Sequence, residues 1–166
     1  MKARLLAYRW FWLVSVLILG LDQLSKLYIA QVSGLPLNNP HDGWEVIPGF
    51  FHIVYTVNFG AAWGMLSGMG WLLIVLAIAA LIGIFSFRRS LELHRPYLQI
   101  IFGLIVGGII GNTIDRLAHG YVIDFLDFNL QFYQWPTFNF ADCGIVVGIC
   151  LYLLWSFKSQ PTQRAS

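Results

Sequence analysis

Charge is what this chain has least of. Asp, Glu, Lys and Arg make up only 11% of its 166 residues, against roughly 25% in an ordinary soluble domain. With 58% of residues hydrophobic, a water-soluble globule is excluded and a bilayer is the implied solvent. The net charge of +2 is too small to suggest a nucleic-acid surface. No hydrophilic block is long enough to fold separately, so one membrane-embedded domain over 1–166 is the expectation; a monomer is expected as well.

Cysteine is nearly as scarce. Cys143 and Cys150 fall on one predicted helix, about 10.5 Å apart along its axis at 1.5 Å per residue, beyond the roughly 7 Å that a disulfide spans. They read as packing residues. A cysteine nucleophile needs a histidine partner, but His41, His52, His94 and His119 are scattered. The same scatter leaves no zinc-ligand spacing such as H-E-x-x-H, and chemistry by paired carboxylates needs no metal or cofactor, so none is expected. Serine chemistry lacks a G-x-S-x-G elbow or a suitably placed activating lysine. Elimination leaves the carboxylates.

Four apolar runs are present, at about 10–30, 71–87, 97–114 and 141–157, joined by loops at 31–70 and 115–140 and a short connection holding Arg88, Arg89, Glu92, His94 and Arg95. The start resembles a secretory signal, with Lys2, Arg4 and Arg9 before an apolar stretch. No small-x-small cleavage site follows, and Asp22, Gln23, Ser25 and Lys26 continue a helical pattern, which favours a retained first span. Asp22 and Lys26, four residues apart, share a helix face. They fit either an ion pair snorkelling to the surface at the helix end or a direct part in a site. Glycines recur every fourth residue at Gly103, Gly107 and Gly111 and again at Gly144 and Gly148, the smooth stripe that lets helices pack closely.

Counting basic residues orients the spans. Lys2, Arg4, Arg9, Arg88, Arg89, Arg95, Lys158 and Arg164 fall on the side of the termini, and only Lys26 and Arg116 on the other. Eight against two places the termini in the cytoplasm and both long loops outside. Within the first loop Phe51, Ile53, Tyr55 and Val57 alternate with His52, Val54, Thr56 and Asn58, a strand signal that ends in a stretch rich in small residues, Asn58 to Gly64. In the second, Phe128, Leu130 and Phe132 alternate with Asp127, Asn129, Gln131 and Tyr133, and the aromatics suit the membrane interface.

The second loop and its borders hold four of the eight acidic residues, Asp115, Asp124, Asp127 and Asp142. Carboxylates beside hydrocarbon are costly and are retained for use. A folded-back loop would carry Asp124 towards Asp142, giving a catalytic pair. A carrier or proton conductor would need a polar stripe right across the membrane, and the inner halves of the last three spans carry almost no ionisable groups. A packing subunit would explain the glycines but not the outward acids and amides.

Five motifs then occur in order: Asp22-Gln23-x-x-Lys26, Asn58-x-Gly60-Ala61-Ala62-Trp63-Gly64, Gly111-Asn112-x-x-Asp115-Arg116, Val122-x-Asp124-Phe125 and Phe138-Asn139-x-Ala141-Asp142. Together, over nearly the whole chain, they resemble the lipoprotein signal peptidase family, signal peptidase II. Trp63 stands where that family more often has phenylalanine. The resemblance implies an aspartyl endopeptidase of the bacterial cytoplasmic membrane that releases signal peptides from diacylglyceryl-modified prolipoproteins, cutting on the amino side of the lipidated cysteine. It implies Asp124 and Asp142 as the catalytic pair, Asn58, Asn112, Arg116 and Asn139 as substrate-binding or supporting residues, and Asp22, Lys26 and Asp115 as structural polar residues. The implied fold is four transmembrane helices with a small extracytoplasmic β-cradle and a short interfacial helix.

Overall fold

The computed structural model describes residues 7–39, 42–130, 132–133 and 135–159. Lys2, Arg4, His41, Gln131 and Arg164, used in the sequence reading, lie outside these. Among the described residues, four α-helices and three strands follow in the order α1 (Arg9–Gln31), β1 (Trp44–Ile47), β2 (Phe51–Asn58), α2 (Gly70–Ser86), α3 (Pro96–His119), β3 (Val122–Phe128) and α4 (Phe140–Ser159). Of the helices, α1, α3 and α4 are long and apolar enough to cross a membrane, while α2 is apolar but only 17 residues long.

The bundle is arranged for lipid. Leu17, Leu24, Val75, Ile82, Leu154 and Phe157 are exposed, and α2 buries none of its residues. Polar groups go inside instead: Ser15, Asp22, Lys26, Asn112 and Asp115 are all buried. This inversion follows from a solvent that rewards apolar surface and cannot hydrogen-bond a polar one.

The central helix is α3, which packs against α1 on one side and α4 on the other. Its glycines make this possible. A Cβ at Gly103 would lie 2.9 Å from Phe11 O, and one at Gly107 would lie 2.7 Å from Ser15 O, so that stripe seats α1. Gly144 and Gly148 of α4 return the contact, since a Cβ at either would press on the α3 backbone at Leu104 O or Ile101 O. With lipid as apolar as leucine, close backbone approach is what holds such helices together.

Helix α3 begins with Pro96 in its first turn, after the extended Arg95, and ends where Gly120 takes a left-handed conformation (φ 81°) and donates its N–H to Arg116 O at 3.0 Å. It therefore runs five residues past Ile114, where the apolar run ends. Asp115 and Arg116, expected at the start of the loop, are helical because their polar side chains turn into the protein and not into water.

The three strands form one antiparallel sheet in the order β1-β2-β3. A Pro48-Gly49 turn joins β1 to β2, with Gly49 at φ 68° and Phe50 N–H bonded to Ile47 O at 3.0 Å, as in a type II turn. Strand β2 lies where the alternation placed it. The second extended segment does not: β3 ends at Phe128, where the alternating pattern begins. Nearly all of β3 is buried, so it shows no alternation to read. Beyond it, Phe138 bridges to Leu126, so the chain folds back along β3 before entering α4. The short helix expected outside the spans is, among the described residues of the first loop, a 3-10 turn at Ala62–Gly64.

Candidate active site

Asp142 is placed by the way α4 starts. Asn139 precedes the first helical residue, and its Oδ1 accepts the Asp142 N–H at 3.0 Å while Asp142 Oδ2 accepts the Asn139 N–H at 3.3 Å. This reciprocal pair is a capping box with the acid three residues into the helix. The cap thus fixes both the helix terminus and the carboxylate that projects from it.

Asp124 arrives from β3, and the same asparagine meets it. Asn139 Nδ2 donates to Asp124 Oδ1 at 2.6 Å and to Ile123 O at 3.2 Å. Asn58, the last residue of β2, donates from Nδ2 to Asp124 Oδ2 at 3.2 Å, and its Oδ1 accepts Gly60 N–H at 2.9 Å. Asn112 on α3 donates from Nδ2 to Asp142 Oδ1 at 2.7 Å. Three amides from three segments therefore hold two carboxylates that lie 18 residues apart in sequence, with Asn139 touching both.

Burial differs between the two acids. Asp124 is 3% exposed and lies beneath the wall of a cavity of about 510 Å³, whereas Asp142 is half-buried and lines it. Burial, reinforced by the charge of Asp142, raises the Asp124 pKa to about 7 against the opposing hydrogen bonds from Asn58 and Asn139. A carboxyl group on the sheet thus keeps a proton close to neutral pH.

The cavity itself lies between the loop after β2, the segment 135–138 and α4, and its walls are mostly apolar, with Trp63, Trp135, Phe138 and Val146 beside Asn58 and Arg116. Across its rim Trp63 Nε1 donates to the Tyr133 hydroxyl at 2.6 Å, and the Trp63 and Trp135 rings meet edge to face at 6.0 Å. Gly60 is required at the base of this loop, because a Cβ there would lie 2.5 Å from Met65 O.

The remaining expected residues divide. Arg116 donates from Nη2 to Gly60 O at 2.8 Å and from Nη1 to Asn112 O at 3.3 Å, so it braces the loop and the α3 backbone and has no hydrogen bond to either acid. Asp22 and Lys26 are 0% and 2% exposed, which overturns the snorkelling reading. Lys26 Nζ lies 2.8 Å from Asp22 Oδ2 and 2.9 Å from Asp115 Oδ2. Asp127 is not drawn into the pair: it accepts from Thr137 Oγ1 at 3.3 Å and faces His52 on the neighbouring strand β2.

Sequence reasoning gave no role of its own to Gln23, although the residue stands in a quoted motif. Its Nε2 donates to Asp115 Oδ1 at 3.0 Å and lies 3.1 Å from Asp22 Oδ2. The rim contact of Trp63 with Tyr133 was also unread, since the two residues are 70 apart. Cys143 lines the cavity and Cys150 is exposed, and neither forms a disulfide. No group of three or more His, Cys, Asp or Glu side chains suited to a metal occurs among the described residues.

The family model described as signal peptidase (SPase) II matches residues 14–158. A lipoprotein signal peptidase of Oleidesulfovibrio alaskensis is 44% identical over 152 residues, covering 89% of this chain and 94% of its own. One from Gloeothece citriformis is 42% identical and covers 94% of each chain. A bacterial membrane enzyme solved by the in meso method superposes with a TM-score of 0.81 at 32% identity, covering 93% of this chain and 91% of its own. The chain belongs to the signal peptidase II family, and is an integral membrane peptidase of bacterial type.

Proposed function

We propose that this peptidase removes signal peptides from diacylglyceryl-modified prolipoproteins by aspartyl chemistry, with Asp124 and Asp142 as the catalytic pair, cutting on the amino side of the lipidated cysteine. One observation carries the reading: Asn139 hydrogen-bonds both carboxylates at once beside an apolar cavity.

Two acids held this close do not both ionise cheaply, so the pair keeps one proton near neutral pH. The ionised partner takes a proton from water, which attacks the scissile carbonyl. The protonated partner hydrogen-bonds the developing oxyanion, and a proton then passes to the leaving amine. No metal takes part in these steps. Asn112 and Asn58 hold the carboxylates, while Arg116 supports the loop that forms the cavity wall. An extended peptide beside the sheet, with its acyl chains in the apolar cavity between Phe138 and Val146, would bring the cleavage site to the pair.

In this proposal α2 is a fourth span, the termini are cytoplasmic, the sheet and the aspartyl pair lie near the extracytoplasmic face, and the enzyme works as a monomer. A proton carrier fits less well, because the opposite half of the bundle is closed by Leu98, Ile101, Phe102 and Ile105. The test is incubation of the detergent-purified protein with a lipidated prolipoprotein, alongside Asp124→Asn and Asp142→Asn, with the product mapped by mass spectrometry. Cleavage before the lipidated cysteine by wild type and by neither variant is expected. Full cleavage by either variant would remove the aspartyl pair from the mechanism.

A further inference from the structure

We propose that Lys26 is a positioning residue for the reaction, and that it acts through both segments that carry the catalytic acids. The proposal rests on the aspartyl reading above.

The ammonium group of Lys26 has three partners: Asp22 Oδ2 at 2.8 Å, Asp115 Oδ2 at 2.9 Å and Asn112 Oδ1 at 3.1 Å. Each partner leads to the active site. Asp22 uses its other oxygen, Oδ1, to accept the N–H of Ala141 at 2.9 Å, one residue before Asp142. Asp115 Oδ2 accepts the N–H of Ile123 at 3.1 Å, one residue before Asp124. One cation therefore fixes two carboxylates that in turn hold the backbone next to each catalytic acid.

The third partner settles a direction. An ammonium only donates, so Asn112 must turn its oxygen to Lys26 and its Nδ2 to Asp142. With the amide reversed, Asn112 would present an oxygen to the Asp142 carboxylate and a donor to Lys26, two repulsive contacts. Lys26 thus dictates that Asn112 donates to Asp142. The charged groups around it are Asp22 on its own helix, Asp115 and Arg116 on α3, and Asp124 and Asp142 beyond the amides.

Cleavage of a lipidated prolipoprotein by wild type, Lys26→Met and Lys26→Gln, measured across pH with the folded fraction counted separately, tests this. For Lys26→Met, kcat per folded molecule should fall on the order of 100-fold with KM little changed, the scale of a misplaced catalytic group. Loss of a nearby cation disfavours the ionised acid, so the acidic limb of the kcat profile should move to higher pH. Lys26→Gln can still donate to Asn112 but lacks the charge. Its kcat should fall less, with the same shift of the acidic limb, and it decides the matter if Lys26→Met does not fold. A purely structural Lys26 would lower the folded fraction and leave kcat and the pH profile of folded protein as in wild type; that result overturns the proposal. Asp124→Asn, inactive with Lys26 intact, separates this failure from a failure of the aspartyl reading.

Discussion

The two halves of α3 are built on opposite rules. From Leu98 to Val106 its buried side chains are almost all apolar: Leu98, Ile101, Phe102 and Ile105 form a cluster with Leu93, and Gln99, the polar member, reaches Ala7 O at 2.8 Å. From Gly111 to Asp115 its inward residues include Asn112 and Asp115, set in a network of amides, carboxylates and one ammonium. The first half holds helices together by packing. The second desolvates charged groups, which costs free energy unless every partner is present. A helix that does both separates the part of the protein that keeps it folded from the part that reacts.

The comparison breaks most visibly at the acids. Asp124→Asn or Asp142→Asn should lower kcat on the order of 10⁴-fold or more, the scale seen when one member of a catalytic unit is removed, in protein that still folds. Kinetics on lipidated prolipoprotein with a parallel melting curve checks both halves of this statement. Asn139→Ala should cost about 100-fold in activity and about 1 kcal/mol in stability, because one side chain both caps α4 and orients the pair. Activity and thermal unfolding measured on one preparation would show whether the two losses travel together.

In the packing half the order of effects should reverse. Phe102→Ala should lower stability by roughly 1–3 kcal/mol, below the usual range for such a change because in separated helices the same ring rests in lipid as apolar as the core, and leave kcat of the folded enzyme unchanged. Unfolding in detergent and turnover per folded molecule measure the two. Last comes Leu154→Ala, on the lipid-facing side of α4, which should alter stability by less than about 0.5 kcal/mol.

Stability should also depend on pH through Asp124, whose pKa is raised from 3.8 to about 7 by burial and by Asp142. A raised carboxyl pKa means that the folded state binds more protons than the unfolded state between these values. Stability therefore falls as pH rises from about 4 to about 7. Asp124→Asn removes the titration, so its melting temperature relative to wild type should climb across that window.

Much of the scaffold was legible because its physics is local. Apolar runs gave the helices to within a few residues, the glycine spacing gave the contacts of α3, and the alternation from Phe51 to Asn58 gave β2. Strand β3 escaped because it is buried on both sides, which removes the period of two. Strand β1 escaped because four exposed residues beside Pro48 carry almost no pattern. The end of α3 was placed too early because Asp115 and Arg116 look like loop residues until Lys26 and Gly60 O are seen beside them. Of the site, the acids and amides stood out by type, but only folding could show that Asn139 touches both carboxylates. The burial of Lys26 likewise depends on partners 86 and 89 residues away.

The central claim, that Asp124 and Asp142 act as a pair sharing one proton, is tested most directly by the pH dependence of kcat on a lipidated prolipoprotein. The account predicts a bell whose alkaline limb falls with an apparent pKa of about 7, as the proton held by the pair is lost. A rate that stays constant or rises through neutrality to pH about 9, beyond the point where both carboxyls would be ionised, would contradict it.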